Sequence, residues 1–256
     1  MSDVVRYSVL PEKSAARRRQ RGFTLIELSI VLTIIGLIVG GILKGQELIN
    51  SARLKTQIAQ IDAIKSATYT FQDKYSYLPG DYNAANPNLG FTSTANGNGD
   101  GQISPVADNA DVGGESSMAW AHLDAANLIA GVTWNTATTA LLTGLTTAST
   151  SVDMPSKLTG GHLYMATFTN TPSGGTAHAA VMVRLQGNPQ GAVPTVAMKE
   201  PDAASIDTRY DDGSPASGNI TTASGSSATS CEASGVYTLG TGSPGTYYCI
   251  MMFLVQ

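Results

Sequence analysis

One carboxylate, Glu27, interrupts an apolar run from Phe23 to Leu43 (FTLIELSIVLTIIGLIVGGIL). A carboxylate near the start of a membrane helix costs on the order of 3 kcal/mol, so it demands a partner. No basic residue inside the run supplies one. Two later segments concentrate oxygen ligands. Asn96-Gly97-Asn98-Gly99-Asp100-Gly101-Gln102-Ile103 alternates side-chain oxygens with glycine and fits positions one, three, five, six and eight of an EF-hand loop. Position twelve is Ala107, where that loop needs a bidentate glutamate, and Asp108, Asp111 and Glu115 are the substitutes nearby. Ile206 to Gly213 gathers Asp207, Asp211 and Asp212, whose like charges repel unless a cation or hydrogen-bond donors offset them. Both loops suit calcium at about 10⁻⁴–10⁻³ M. A glycine-rich or solvated turn is the competing reading for each, and no motif requires a cofactor.

Nothing in the chain reads as catalytic. His122, His162 and His178 fit no metal-ligand spacing, and the GxSxG, HExxH and phosphate-loop patterns are absent. The expectation is a protein that is not an enzyme. The two cysteines, Cys231 and Cys249, form neither a CxxC pair nor a haem-attachment motif. A disulfide in an oxidising compartment is the simplest reading, two buried thiols the alternative. Closing a loop of about 19 residues would constrain the unfolded chain by roughly 3 kcal/mol.

Charge separates the chain's beginning from its body. Residues 1–22 carry six basic and two acidic side chains, a net +4, so the remainder carries −8 against −4 for the whole. An anionic body argues against a nucleic-acid groove. The apolar run would span about 31 Å as a helix, close to the hydrocarbon thickness of a bilayer. RRRQR lies directly before it, which places that end in the cytoplasm and everything after Leu43 outside. A secretory signal would be shorter and end at small residues. An ordinary signal anchor leaves Glu27 unexplained.

The junction Arg21-Gly22-Phe23-Thr24-Leu25-Ile26-Glu27-Leu28 resembles the cleavage and methylation motif of type IV prepilins and type II secretion pseudoprepilins. The resemblance implies that a membrane-embedded peptidase and N-methyltransferase cuts after Gly22 and methylates Phe23. Glu27 becomes the fifth residue of the mature chain, paired with a freed N-terminal amine on its own or a neighbouring subunit. Two features depart from the family pattern. The leader of 22 residues is long for a pilin beginning with phenylalanine, and Lys44 stands where a proline often kinks the helix. Gly36, Gly40, Gly41 and Gly45 would loosen it instead, at about 1 kcal/mol each.

The elements that must position these groups follow from periodicity. Leu54, Ile58, Ile61, Ile64, Thr68, Phe71 and Tyr75 recur at helical spacing, extending the helix to about Tyr75 before the stop at Leu78-Pro79-Gly80-Asp81. Residues 81–115 read as loop, and Ser116 to Ala130 as a helix with Trp120, Leu123, Leu128 and Ile129 inward. Residues 131–160 are poorly determined, and Glu200 to Arg209 reads as a short helix. Strands are expected at His162–Thr169, Ala180–Leu185 and Tyr247–Val255. The fold class is α+β: a long N-terminal transmembrane helix packed on a small antiparallel-sheet head of three to five strands. The expected division is a leader at 1–22, a membrane half at 23–43, an amphipathic half at 44–77 and a head at 78–256.

These features and the resemblance imply a single-pass inner-membrane subunit, its head periplasmic and later part of an extracellular pilus. Its partners would be copies of itself, the prepilin peptidase, the inner-membrane assembly machinery and the membrane, with no nucleic acid. A type II secretion pseudopilin shares every motif. A membrane-anchored ligand-binding protein is the reading from another class.

Overall fold

The computed structural model describes residues 22–91, 96–104, 114–135, 151–158, 160–170, 178–187, 198–222, 231–233, 235–238 and 249–256. The chain divides into two units, Met1–Leu48 and Ile49–Gln256.

Helix α1 runs Leu25–Tyr75. In the first unit its described residues are exposed apart from Gly45, and the helix is long and apolar enough to cross a membrane. It continues unbroken through Gly36, Gly40, Gly41 and Gly45. In the second unit Leu54, Ile58, Ile61, Ile64, Thr68 and Phe71 are buried, together with Gln57, Gln60 and Ala67. The two glutamines are what the apolar pattern misses. Gln57 Oε1 and Gln60 Oε1 accept the Lys157 N–H at 2.8 and 3.1 Å, and Gln60 Nε2 donates to the Pro155 carbonyl at 2.9 Å. They satisfy the turn that closes a strand against the helix, where unpaired backbone groups would be costly. The helix stops at Tyr75 because Ser76 takes a left-handed φ of 61°.

Helix α2 is Ala85–Leu89 and α3 is Glu115–Ala125. The expected continuation of α3 to Ala130 does not occur. Asn127 takes φ 55°, its N–H donates to the Asp124 carbonyl, and the Leu128 N–H donates to the Leu123 carbonyl. That is a Schellman stop, which asparagine tolerates better than other side chains with a Cβ. Leu128 and Ile129 still pack, half-buried, against the core.

The strands are β1 (Thr133–Asn135), β2 (Ser151–Pro155), β3 (His162–Asn170) and β4 (His178–Gln186). Helix α4 (Glu200–Tyr210), β5 (Ile220–Thr222), β6 (Glu232–Ala233), β7 (Val236–Tyr237) and β8 (Met251–Leu254) follow. The antiparallel sheet has six strands in the order β1-β2-β3-β4-β8-β5, and β6 and β7 form a separate hairpin. It is wider than the three to five strands expected, since β1, β2 and β5 arise from Thr-, Ser- and Gly-rich sequence without strong alternation. The last strand begins at Met251; Cys249 forms a bridge with Met198, and 247–248 lie outside the described residues.

Register explains the core. Leu163 faces Leu185, which faces Met251; Met165 faces Val183, which faces Phe253, which faces Ile220. These cross-strand rows present one apolar face, which joins the buried stripe of α1 and Trp120 and Leu123 of α3 in one cluster. On the opposite face the Arg184 guanidinium lies over the rings of Tyr164 and Phe168, at 4.8 and 4.9 Å from their centroids.

Candidate functional site

At the start of α1 the unassigned partner of Glu27 is Thr24. The Thr24 N–H and hydroxyl donate to Glu27 Oε2 at 2.9 and 2.7 Å, and the Glu27 N–H donates back to Thr24 Oγ1 at 3.3 Å. This is a capping box: a threonine and a glutamate three residues apart satisfy each other's free donors at a helix start. The Thr-x-x-Glu spacing was legible, though sequence reasoning looked only for a cation. Both bonds that described residues give the carboxylate reach Oε2. Ser29 and Thr33 donate to the carbonyls of Ile26 and Ile30, at 2.8 Å each, so these two hydroxyls in the apolar stretch are satisfied within the helix. Phe23 is 88% exposed. A Cβ added at Gly22 would meet no atom within 4 Å. The described fold therefore places no steric demand for glycine there.

The calcium-like loop closes on carboxylates that are largely not its own. Asp81 Oδ1 accepts the N–H groups of Gly99 at 2.6 Å and Asp100 at 3.0 Å, and Oδ2 that of Gly101 at 2.9 Å. Glu115 Oε1 accepts the Asn98 N–H at 2.9 Å, and Oε2 the Ser104 N–H at 2.8 Å. Asn96, the expected first ligand, turns away to accept the Asn86 N–H at 2.9 Å. Asn98 and Asp100 bond to one another. Asp81, Asp100 and Glu115 each offer an oxygen within 4.8 Å of the others, a separation a divalent cation can span. The sequence reading took Asp81 only as part of a helix stop. Burial pushes its carboxyl above the usual range, against the pull of the Gly101 and Gly99 N–H groups, and the neighbouring Glu115 charge adds to the rise. Ala107, Asp108 and Asp111 lie outside the described residues.

Two glycines make this loop possible. Gly80 has φ 93°, a Cβ there would sit 2.3 Å from the Glu115 carbonyl oxygen, and its N–H donates to buried His122 Nδ1 at 2.9 Å. A Cβ on Gly97 would lie 2.3 Å from the Gly80 carbonyl oxygen. His122, ringed by Phe71, Tyr82 and Phe91, is thus a packing and capping residue of the core.

The second acidic segment is organised in the same way. Asp207, buried at the end of α4, accepts the Tyr237 hydroxyl at 2.8 Å and the Gly213 N–H at 3.2 Å. Asp211 accepts the N–H groups of Asn219 and Ile220. Asp212 accepts the Ser217 hydroxyl at 2.6 Å and the Ser214 N–H at 2.9 Å. The three carboxylates offer oxygens within 4.8 Å of one another. Burial raises the Asp207 carboxyl, with Asp212 and Asp211 adding to it, while the Tyr237 and Gly213 bonds oppose the rise. The Ser217 and Ser214 bonds hold Asp212 below its ordinary value. Burial and Asp207 drive the Tyr237 phenol upward. Cys231 and Cys249 form a disulfide with Cα atoms 5.0 Å apart, and the Thr238 N–H donates to the Cys231 carbonyl. The β6–β7 hairpin is therefore tied both to the segment before β8 and, through Tyr237, to α4.

The family described as the prokaryotic N-terminal methylation motif matches residues 17–43, which identifies this stretch as a prepilin-type signal. No curated protein and no solved structure matches the chain. The motif and the exposed apolar helix together fit a single-pass, membrane-anchored protein processed as prepilins are.

Proposed function

We propose that the chain is a structural subunit of a type IV pilus filament, stored in the inner membrane by the apolar part of α1 until it polymerises. The observation that carries this reading is the coincidence, within the matched motif, of Gly22, the exposed Phe23, and Glu27 in the first turn of α1, at the head of its exposed apolar stretch. A glycine with no steric role in the described fold is what a peptidase cleft selects, because it lets the backbone pass extended. Cleavage after Gly22 frees an amine at Phe23, which the peptidase methylates. That cation, on an adjacent copy, neutralises Glu27 where hydrocarbon makes a lone charge costly. The basic leader sits in the cytoplasm and the head in the periplasm. The assembly machinery then lifts the subunit into a filament that reaches the cell exterior.

Mass spectrometry of the mature protein tests this. The chain is expected to begin at N-methylated Phe23, and an intact N-terminus in peptidase-competent cells sinks the reading in favour of an anchored binding protein. Imaging the cell surface for fibres then separates a pilus from a secretion pseudopilus.

A further inference from the structure

Glu27 does not wait for a partner in a free geometry. Thr24 binds Oε2 twice, through N–H and hydroxyl, while Oε1 receives no hydrogen bond from any described residue. Resting on the reading above, we propose that Thr24 is the positioning residue for subunit pairing: it fixes one carboxylate oxygen so that the other faces an incoming ammonium. Three observations support this assignment. The hydroxyl donates to the carboxylate at 2.7 Å beside the amide at 2.9 Å, so the side chain contributes a charge-assisted contact of its own. The bonds are reciprocal, which restricts the Glu27 rotamer as well as the first turn. The same donors supply part of the carboxylate's solvation while the subunit is alone in the bilayer, so storage and pairing use one arrangement. A preset acceptor loses less side-chain freedom when the second chain docks.

The full chain, expressed with its own peptidase and assembly system, provides the test. Thr24→Val keeps shape and the backbone N–H but removes the hydroxyl. It is expected to insert, be cut and be methylated as the parent is, yet to yield about tenfold fewer filaments, the scale of one charge-assisted hydrogen bond. Thr24→Ser restores the hydroxyl and is expected to restore the yield, a rescue that loss of packing alone would not produce. Glu27→Gln keeps a capping partner for Thr24 and loses the charge; it is expected to insert and fail to assemble. Parent-level filaments from Thr24→Val beside a defective Glu27→Gln overturn the positioning role alone. A Thr24→Ser variant as poor as Thr24→Val overturns it too. Parent-level filaments from Glu27→Gln overturn the ion pair beneath it and the positioning role together.

Discussion

From Leu25 to Leu43, α1 exposes leucine, isoleucine and valine on every side, whereas from Leu54 to Phe71 it buries one stripe and leaves Lys55 and Asp62 in water. One helix thus carries two kinds of surface. The first stretch has its apolar area uncovered by any described residue; the second spends it on the head's own core. Glycines follow the same division. Those of the apolar stretch have open space around the missing Cβ, while Gly80 and Gly97 in the head sit where a Cβ would collide. On the proposed function, side chains of the first stretch therefore answer to membrane and neighbouring subunits, and those of the second to folding.

The sharpest way to break this contrast is a pair of truncations. Phe71 is fully buried and Leu37 is 80% exposed. Phe71→Ala is expected to destabilise the head by about 3–5 kcal/mol, the usual loss for a buried phenylalanine. Leu37→Ala is expected to leave its melting temperature, measured in detergent, unchanged. Equal effects from the two would erase the distinction.

Gly80→Ala against Gly36→Ala repeats the comparison for the backbone. The first forces a Cβ against the Glu115 carbonyl oxygen at a left-handed φ, with an expected loss of about 1–3 kcal/mol or more. The second adds about 1 kcal/mol of helix propensity in a region with no collision, so the head is expected to melt as before. Thermal unfolding of both variants in the full chain decides it.

Titration separates the head from the apolar stretch more gently. Asp207 is buried and its carboxyl is raised above the ordinary 3.8, because burial penalises its charge. Its contribution to stability is complete below that ordinary value and is lost as pH rises through the raised one. Asp207→Asn removes the penalty while keeping an acceptor for Gly213 and a partner for Tyr237. It is expected to raise the melting temperature at pH 7, with the gain closing as pH falls to 4. A constant gap between variant and parent from pH 4 to 7 contradicts the assignment.

The smallest expected effect is that of calcium. At 1 mM, with affinities of about 10⁻⁴–10⁻³ M, mass action stabilises the folded state by about 0.4–1.4 kcal/mol, a rise of roughly 1–5 °C. Asp100→Ala and Asp211→Ala should each remove the part belonging to their own loop. No rise relative to chelator means that the N–H donors already gathered by Asp81, Glu115 and Asp211 are all these loops use.

Much of this architecture could be read directly from residue order. An apolar run as long as a bilayer is thick, a basic flank and a Gly-Phe junction are local facts, and so is the Leu54–Phe71 stripe, since helical periodicity needs no distant partner to be visible. Helix α4 and the apolar strands β3, β4 and β8 were legible for the same reason. Strands β1, β2 and β5 were not, because short Thr- and Ser-rich segments become strands only when a neighbour offers its edge. The acidic loops show the same limit. Composition marked Asn96, Asn98 and Asp100 as oxygen ligands, but only the folded chain could bring Asp81 and Glu115 to them and turn Asn96 away, since those carboxylates lie 18 and 17 residues from the groups they bind. At the N-terminus the order is reversed. Thr24 and Glu27 are three residues apart, so their bond was available in the sequence, and the tertiary structure added that the described residues take just one of the two carboxylate oxygens.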